Sequence, residues 1–263
     1  MAPNQQRRQS LLFDYNRHNL RILAFATTSN LRPSAAADTL CCDATFYTCL
    51  KMFKQLHKIH AMTNNQMYPL VFALLQGKSE VIYTRLLENL NSMIEEQQLL
   101  LNPTTVFLDF EFAAHNPAKA VFPGVTVKGC FFDFTRCIWR KTRQLGLRTY
   151  YRQDEDIYRL IRCTAVLRLF PQHHVEYYWF NALDDLKDVD LPVDTTAFIN
   201  CVNTKWMEGV RPVWSHFDND GPRTTNILEG WNSKLKKRIP HVHPNIFIFI
   251  RVMMEIQTTN DVT

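Results

Sequence analysis

No apolar run in the 263-residue chain is long enough to cross a bilayer; the longest, such as "NIFIFIRVMM", meets a charge well short of the roughly 20 residues a span needs. No charged start followed by an apolar stretch marks it for secretion. Its seven cysteines are odd in number and lack paired spacing. Reduced thiols and an intracellular chain are therefore expected. Internal repeats and low-complexity linkers are also missing. What is present is a hydrophobic fraction of 46%, enough to build a real core in one large domain or two ordinary ones.

The net charge of +5 and pI near 8.8 are compatible with nucleic acid without demanding it. Distribution says more than the sum. Basic residues gather in "TRCIWRKTRQLGLR" and "SKLKKR", acids in "RQDEDIY" and "NALDDLKDVDLPVD", so the two signs are expected on different faces and one face could meet phosphate.

The opening "MAPNQQRRQS" is polar, and residues 1–19 are expected to form a flexible leader. From Thr39 to Gln76 the segments "TLCCDATFYTC", "LHKIHAM" and "YPLVFALLQ" predict three strands in an antiparallel meander. The stretch "SEVIYTRLLENLNSMIEEQ" follows, with Ser79 as N-cap and apolar residues at Ile82, Leu86, Leu90 and Met93, the spacing of an amphipathic helix. Then come a buried strand in "TTVFLDF", a helix over Glu111–Val121, a strand in "VTVKGCFF" and a helix starting near Phe134. Together they predict an α/β fold, a mixed five-stranded sheet flanked by helices. The core is expected over residues 20–151 and a mostly helical insertion over 152–221. Residues 222–263 are expected to return to the core as helices near 226–238 and 244–257.

Three carboxylates stand out. Asp43 lies mid-strand on the face of Cys41, Thr45 and Tyr47, where an exposed polar face would also account for it. Asp109 ends a buried strand ahead of a helix, the position of an N-cap. Glu229 follows Asn226 at capping-box spacing. It also shares with Ser233 and Lys236 a polar face different from the apolar stripe of Leu228, Trp231 and Leu235. Carboxylates from separated elements are what a pair of Mg²⁺ ions needs, because hard cations take oxygen ligands.

In order along the chain, "CCDATFYTCLKMFKQLHKIHA", "YPLVFALLQGKSEVIYTRLLENL", "NPTTVFLDFEFAA", "VKGCFFDFTRCIWRK" and "RTTNILEGWN" with "HPNIFIFI" resemble transposases of Mutator-like elements, over most of residues 20–257. The resemblance implies a ribonuclease H-like core with a helical insertion. It also implies an Asp/Asp/Glu site, at Asp43, Asp109 and Glu229, that binds Mg²⁺ or Mn²⁺ and cuts or joins DNA. Asp43 would bridge two ions. The family's Cys-x-x-His falls on Cys130 to Asp133, so an acid replaces the histidine, and these two residues are expected beside the site. Asp133 as the cap of a following helix remains the alternative.

The resemblance makes DNA the expected partner and the nucleus the expected location, with self-association a further expectation; "KLKKR" resembles an import signal, although a folded helix would hide it. Arg136, Arg140, Arg143, Lys236 and Lys237 are the expected phosphate contacts, and a solvated helix face is the alternative for the arginines. Nothing before Leu20 supplies the cysteines and histidines of a zinc-binding recognition module, so DNA binding without end-specific recognition is expected. Against the transposase reading stands a non-catalytic DNA- or protein-binding role on the same fold, or a relic with neither activity.

Overall fold

The computed structural model describes residues 11–18, 20–32, 36–63, 66–109, 112–208, 215–218, 226–239 and 241–260. Of residues 112, 226, 227, 229 and 257–260 it describes the backbone alone. Two compact units result, one of Met1–Val127 with Asn226–Thr263 and one of Lys128–Thr225.

The fold is α/β, built on a mixed sheet of seven strands where the sequence predicts five. The expected meander is present as β3 (Thr39–Thr45), β4 (Gln55–Thr63) and β5 (Gln66–Leu75), antiparallel throughout. Two strands precede it, β1 (Leu11–Arg17) and β2 (Leu20–Phe25), so part of the expected leader is ordered sheet. β2 pairs antiparallel with β5, and β1 forms the edge, largely exposed, which is why its composition resembles a leader. β6 (Thr105–Leu108) lies parallel to β3, and β7 (Thr126–Gly129) completes the order β1-β2-β5-β4-β3-β6-β7.

Side-chain alternation divides β4 between two layers. On one face Gln55 donates to Tyr83 Oη at 2.8 Å and to the Gly77 carbonyl, and the His57 ring meets Tyr83 edge-on. Tyr83 belongs to α2 (Glu80–Glu96), whose buried Ile82, Tyr83, Leu86, Leu87, Leu90 and Ile94 follow the predicted helical spacing. Ser79 stands at the N-cap without a side-chain bond; its carbonyl receives the amides of Ile82 and Tyr83. A short α1 (Thr28–Leu31) precedes the meander, and α3 (His115–Val121) follows β6, starting later than predicted; residues 110–111 lie outside the described residues.

On the other face two late helices, α9 (Asn226–Arg238) and α10 (Ile246–Asn260), cover the sheet. Leu235, Ile239, Phe249, Val252, Met253 and Ile256 pack with Phe25, Leu56, Phe72 and Leu74. Each such buried aliphatic side chain contributes roughly 1.5–3 kcal/mol, so this layer holds the discontinuous first unit together.

The second unit is helical after β7: α4 (Phe131–Gln144), α5 (Tyr150–Gln153), α6 (Glu155–Val166), α7 (Val175–Asp184) and α8 (Thr196–Val202). Asp154 caps α6 by accepting from the Ile157 amide at 2.9 Å. α4 begins three residues before its predicted start, because Cys130 in extended conformation is its N-cap. Among the described residues no helix is long and apolar enough to cross a membrane.

Candidate functional site

Asp43 and Lys58 are direct cross-strand partners of β3 and β4, so their side chains rise from the same face of the sheet. Lys58 Nζ donates to Asp43 Oδ2 at 2.8 Å, with 1% of the lysine side chain and 23% of the aspartate exposed. The face is roofed by α9. Leu228 packs on Cys41 and Phe107, and Asn232, one turn later on the same stripe, donates through Nδ2 to Asp43 Oδ2 at 2.6 Å while its Oδ1 accepts from Lys58. A closed triangle of ammonium, carboxylate and amide results.

Asp109 approaches from the neighbouring strand. The parallel register pairs Cys41 with Phe107, and carried two residues further it brings Asp109 abreast of Asp43 at the C-terminal ends of β3 and β6. Asp109 is half-buried, and its carbonyl is bonded to the His115 ring at 3.2 Å. Both acids act on the same neighbours: their charges join burial in pushing the Cys42 thiol well up, and favour the charged form of Lys58.

Burial by itself would raise the Asp43 carboxyl. The Lys58 charge and the hydrogen bonds from Lys58 and Asn232 outweigh it and hold the group below the usual carboxylate range. Burial lowers Lys58 despite Asp43 and Asp109, with Lys236 adding repulsion. Two histidines beside the lysine stay neutral for the same reason, His57 lowered to about 4 and His60 to about 3. Neither ring nitrogen of His60 has a hydrogen-bond partner among the described residues; the ring packs between Phe72 and Trp231.

Glu229 lies on α9, between Leu228, which packs on the strands, and Asn232, which reaches Asp43. Helical geometry puts positions 229 and 232 about 60° apart around the axis. The Glu229 side chain, and the expected capping box with Asn226, lie outside the described residues. Among the described residues no group of three or more His, Cys, Asp or Glu is placed to hold a metal ion. As a donor set, carboxylates at adjoining strand ends suit a hard divalent cation, and one oxygen of Asp43 is already taken by Lys58 and Asn232.

Within the second unit, Asp133 occupies the third position of α4, so it is not the helix cap. Its charge favours the buried Arg168 guanidinium, which burial pulls down to about 9. Arg168 donates to the carbonyls of Cys130 at 2.9 Å and Gly129 at 2.7 Å, and lies 4.9 Å from the Phe134 ring centroid. His216 bonds the same Gly129 carbonyl through Nε2 at 2.8 Å. Cys130 is fully buried there.

Arg136, Arg140 and Arg143 are exposed on α4 and, with Trp139 and Gln144, line an open cavity of 590 Å³. Lys236 and Lys237 are exposed on the last turns of α9, with Lys236 Nζ 5.5 Å from the Tyr47 ring centroid. Sequence reasoning missed Lys58, Asn232, Arg168 and His216. A single lysine inside the apolar strand "LHKIHAM" is a usable signal for the first. Asn232, four residues after Leu228 on the apolar stripe, is a usable signal for the second.

Residues 39–136 match the model of the MULE transposase domain, a span from β3 into α4 that contains Asp43, Lys58 and Asp109. The match supports a MULE transposase-related protein, and a transposase domain implies interaction with DNA. No curated protein matches the chain.

Proposed function

We propose that the chain is a transposase-derived domain that cuts and joins DNA on a ribonuclease H-like core, with Asp43, Asp109 and Glu229 holding Mg²⁺ or Mn²⁺. The observation that carries this reading is the meeting of elements from three parts of the chain. Parallel β3 and β6 are neighbours, with Asp43 and Asp109 near their C-terminal ends, and α9, the helix that includes Glu229, packs Leu228 on both strands and bonds Asp43 through Asn232. Divalent ions held there would supply the Lewis acidity that activates water or a DNA 3′-hydroxyl and stabilises the leaving oxygen.

The chain's own residues provide the rest. Asn232 fixes the Asp43 rotamer and ties α9 to β3. The buried histidines, kept neutral, add no further charge beneath the carboxylates. Lys236 and Lys237, and on the second unit Arg136, Arg140 and Arg143, offer cations to phosphates in a sequence-tolerant way.

The test is incubation of the purified chain with end-labelled duplex and nicked DNA, with Mn²⁺ or with chelator. Metal-dependent products that vanish in Asp109→Asn support the reading; products that persist in Asp109→Asn sink it. A second reading, non-catalytic DNA binding on the same fold, is favoured by the lysine seated on Asp43 and by an acid at position 133. Salt-sensitive DNA affinity in native chain and Asp109→Asn alike, with no cleavage by either, would establish that alternative.

A further inference from the structure

The first unit contains a cation of its own at the place where the proposed function needs a divalent one. We propose that Lys58 is the resident counter-ion of the carboxylate site and competes with divalent metal for Asp43, so that metal loading is weak while the lysine is in place. The inference rests on the reading of Asp43 and Asp109 as metal-binding carboxylates and adds to it an internal antagonist.

The geometry leaves the lysine little freedom. It rises from the middle of β4, a strand paired on both sides, at the position directly opposite Asp43. Its side chain is 99% withdrawn from solvent, and Nζ is 2.8 Å from Oδ2. Asn232 closes the third side, accepting from the ammonium with one end of its amide and donating to the same carboxylate oxygen with the other.

A snorkelling lysine extends its ammonium to water. Lys58 instead directs its ammonium inward to the acid and to Asn232 of α9. A divalent ion approaching Asp43 meets an oxygen already in use and a positive charge within a few ångströms, where low local dielectric amplifies repulsion. Strand pairing prevents the lysine backbone from retreating. The remaining routes are coordination through Oδ1 alone or rotation of the lysine side chain past Asn232, and both weaken binding.

The experiment is a Mn²⁺ titration followed by electron paramagnetic resonance of the free ion, on the full chain and on Lys58→Met and Lys58→Gln. Methionine keeps the length of the side chain without charge. Glutamine keeps a donor toward Asp43, which guards against loss of fold, and circular dichroism checks that both variants are folded. Asp109→Asn is introduced into each background.

The expected result is at least tenfold tighter Mn²⁺ binding in either neutral variant, lost on adding Asp109→Asn. Equal affinity in native and neutral variants, with Asp109→Asn abolishing both, overturns the competition and leaves the metal site standing. Binding that ignores Asp109→Asn, or no binding in folded neutral variants, overturns the carboxylate metal site and the competition with it.

Discussion

Replacing Asp43 by Asn keeps the shape of the triangle but removes the charge that compensates a nearly fully buried ammonium. Taking one partner from a buried ion pair typically costs about 3–5 kcal/mol, because the other charge stays desolvated. Here an upper bound follows from proton release. Lys58 sheds its proton rather than bear a larger penalty, and from its ordinary value of 10.5 to pH 7 that costs about 5 kcal/mol at 1.36 kcal/mol per unit. At pH 9 the same bound falls to about 2 kcal/mol.

The converse change, Lys58→Met, exposes less of a problem. Asp43 is 23% exposed and retains the Asn232 bond, so a cost of about 1–2 kcal/mol is expected. Amide hydrogen exchange of β3 and β4 peptides, read by mass spectrometry, follows this unit separately from the helical one. Asp43→Asn should accelerate the slowest amides by about 100-fold or more at pH 7, Lys58→Met by about tenfold. The excess of the aspartate variant should shrink at pH 9, after correction for intrinsic exchange. Equal effects of the two substitutions, or an Asp43→Asn cost below about 1 kcal/mol, would refute the buried-charge argument.

Acid should unfold the first unit through His57 and His60. Both are neutral in the fold while the unfolded chain protonates below about 6.5, so stability falls as pH drops from about 6.5 to 4, by roughly 1.4 kcal/mol per unit for each ring; His60→Leu should flatten the acid limb of a urea-midpoint profile. Asp133→Asn should cost about 1 kcal/mol by removing a charge from the first turn of α4 and from the field at Arg168, seen as faster exchange in α4. Lys236→Glu with Lys237→Glu should weaken DNA binding and lower the slope of log affinity against log salt by about 2, measured by fluorescence anisotropy.

The meander, α2 and the two late helices were legible because their apolar residues recur at periods of 2 and 3.6 over enough length to outweigh noise. β1 was not, because an exposed edge strand buries too little to impose alternation. The start of α4 was misplaced by three residues, since "CFFD" is equally apolar as strand end or first helical turn, and the extended Cys130 decides between them. Asp43 and Asp109 were identifiable as unusual acids at strand positions. The contacts that most alter their chemistry were not: the Lys58 ammonium meets Asn232 174 residues away, and Asn232 is 189 residues from Asp43. No local pattern carries a contact of that range.

That range also bears on synthesis. The first unit is interrupted after Val127 and resumes only at Asn226. A nascent chain therefore completes β3, β4 and β5 long before α9 and α10 leave the ribosome. Throughout that interval Phe25, Leu56, Phe72 and Leu74 form an uncovered apolar face, and Asp43 and Lys58 face each other in water, where an ion pair is weak. Such a face invites chaperone capture or aggregation. A transcript truncated before Asn226 thus encodes a sheet without its second layer, which should be recovered in the insoluble fraction or bound to a holdase rather than as a smaller folded protein.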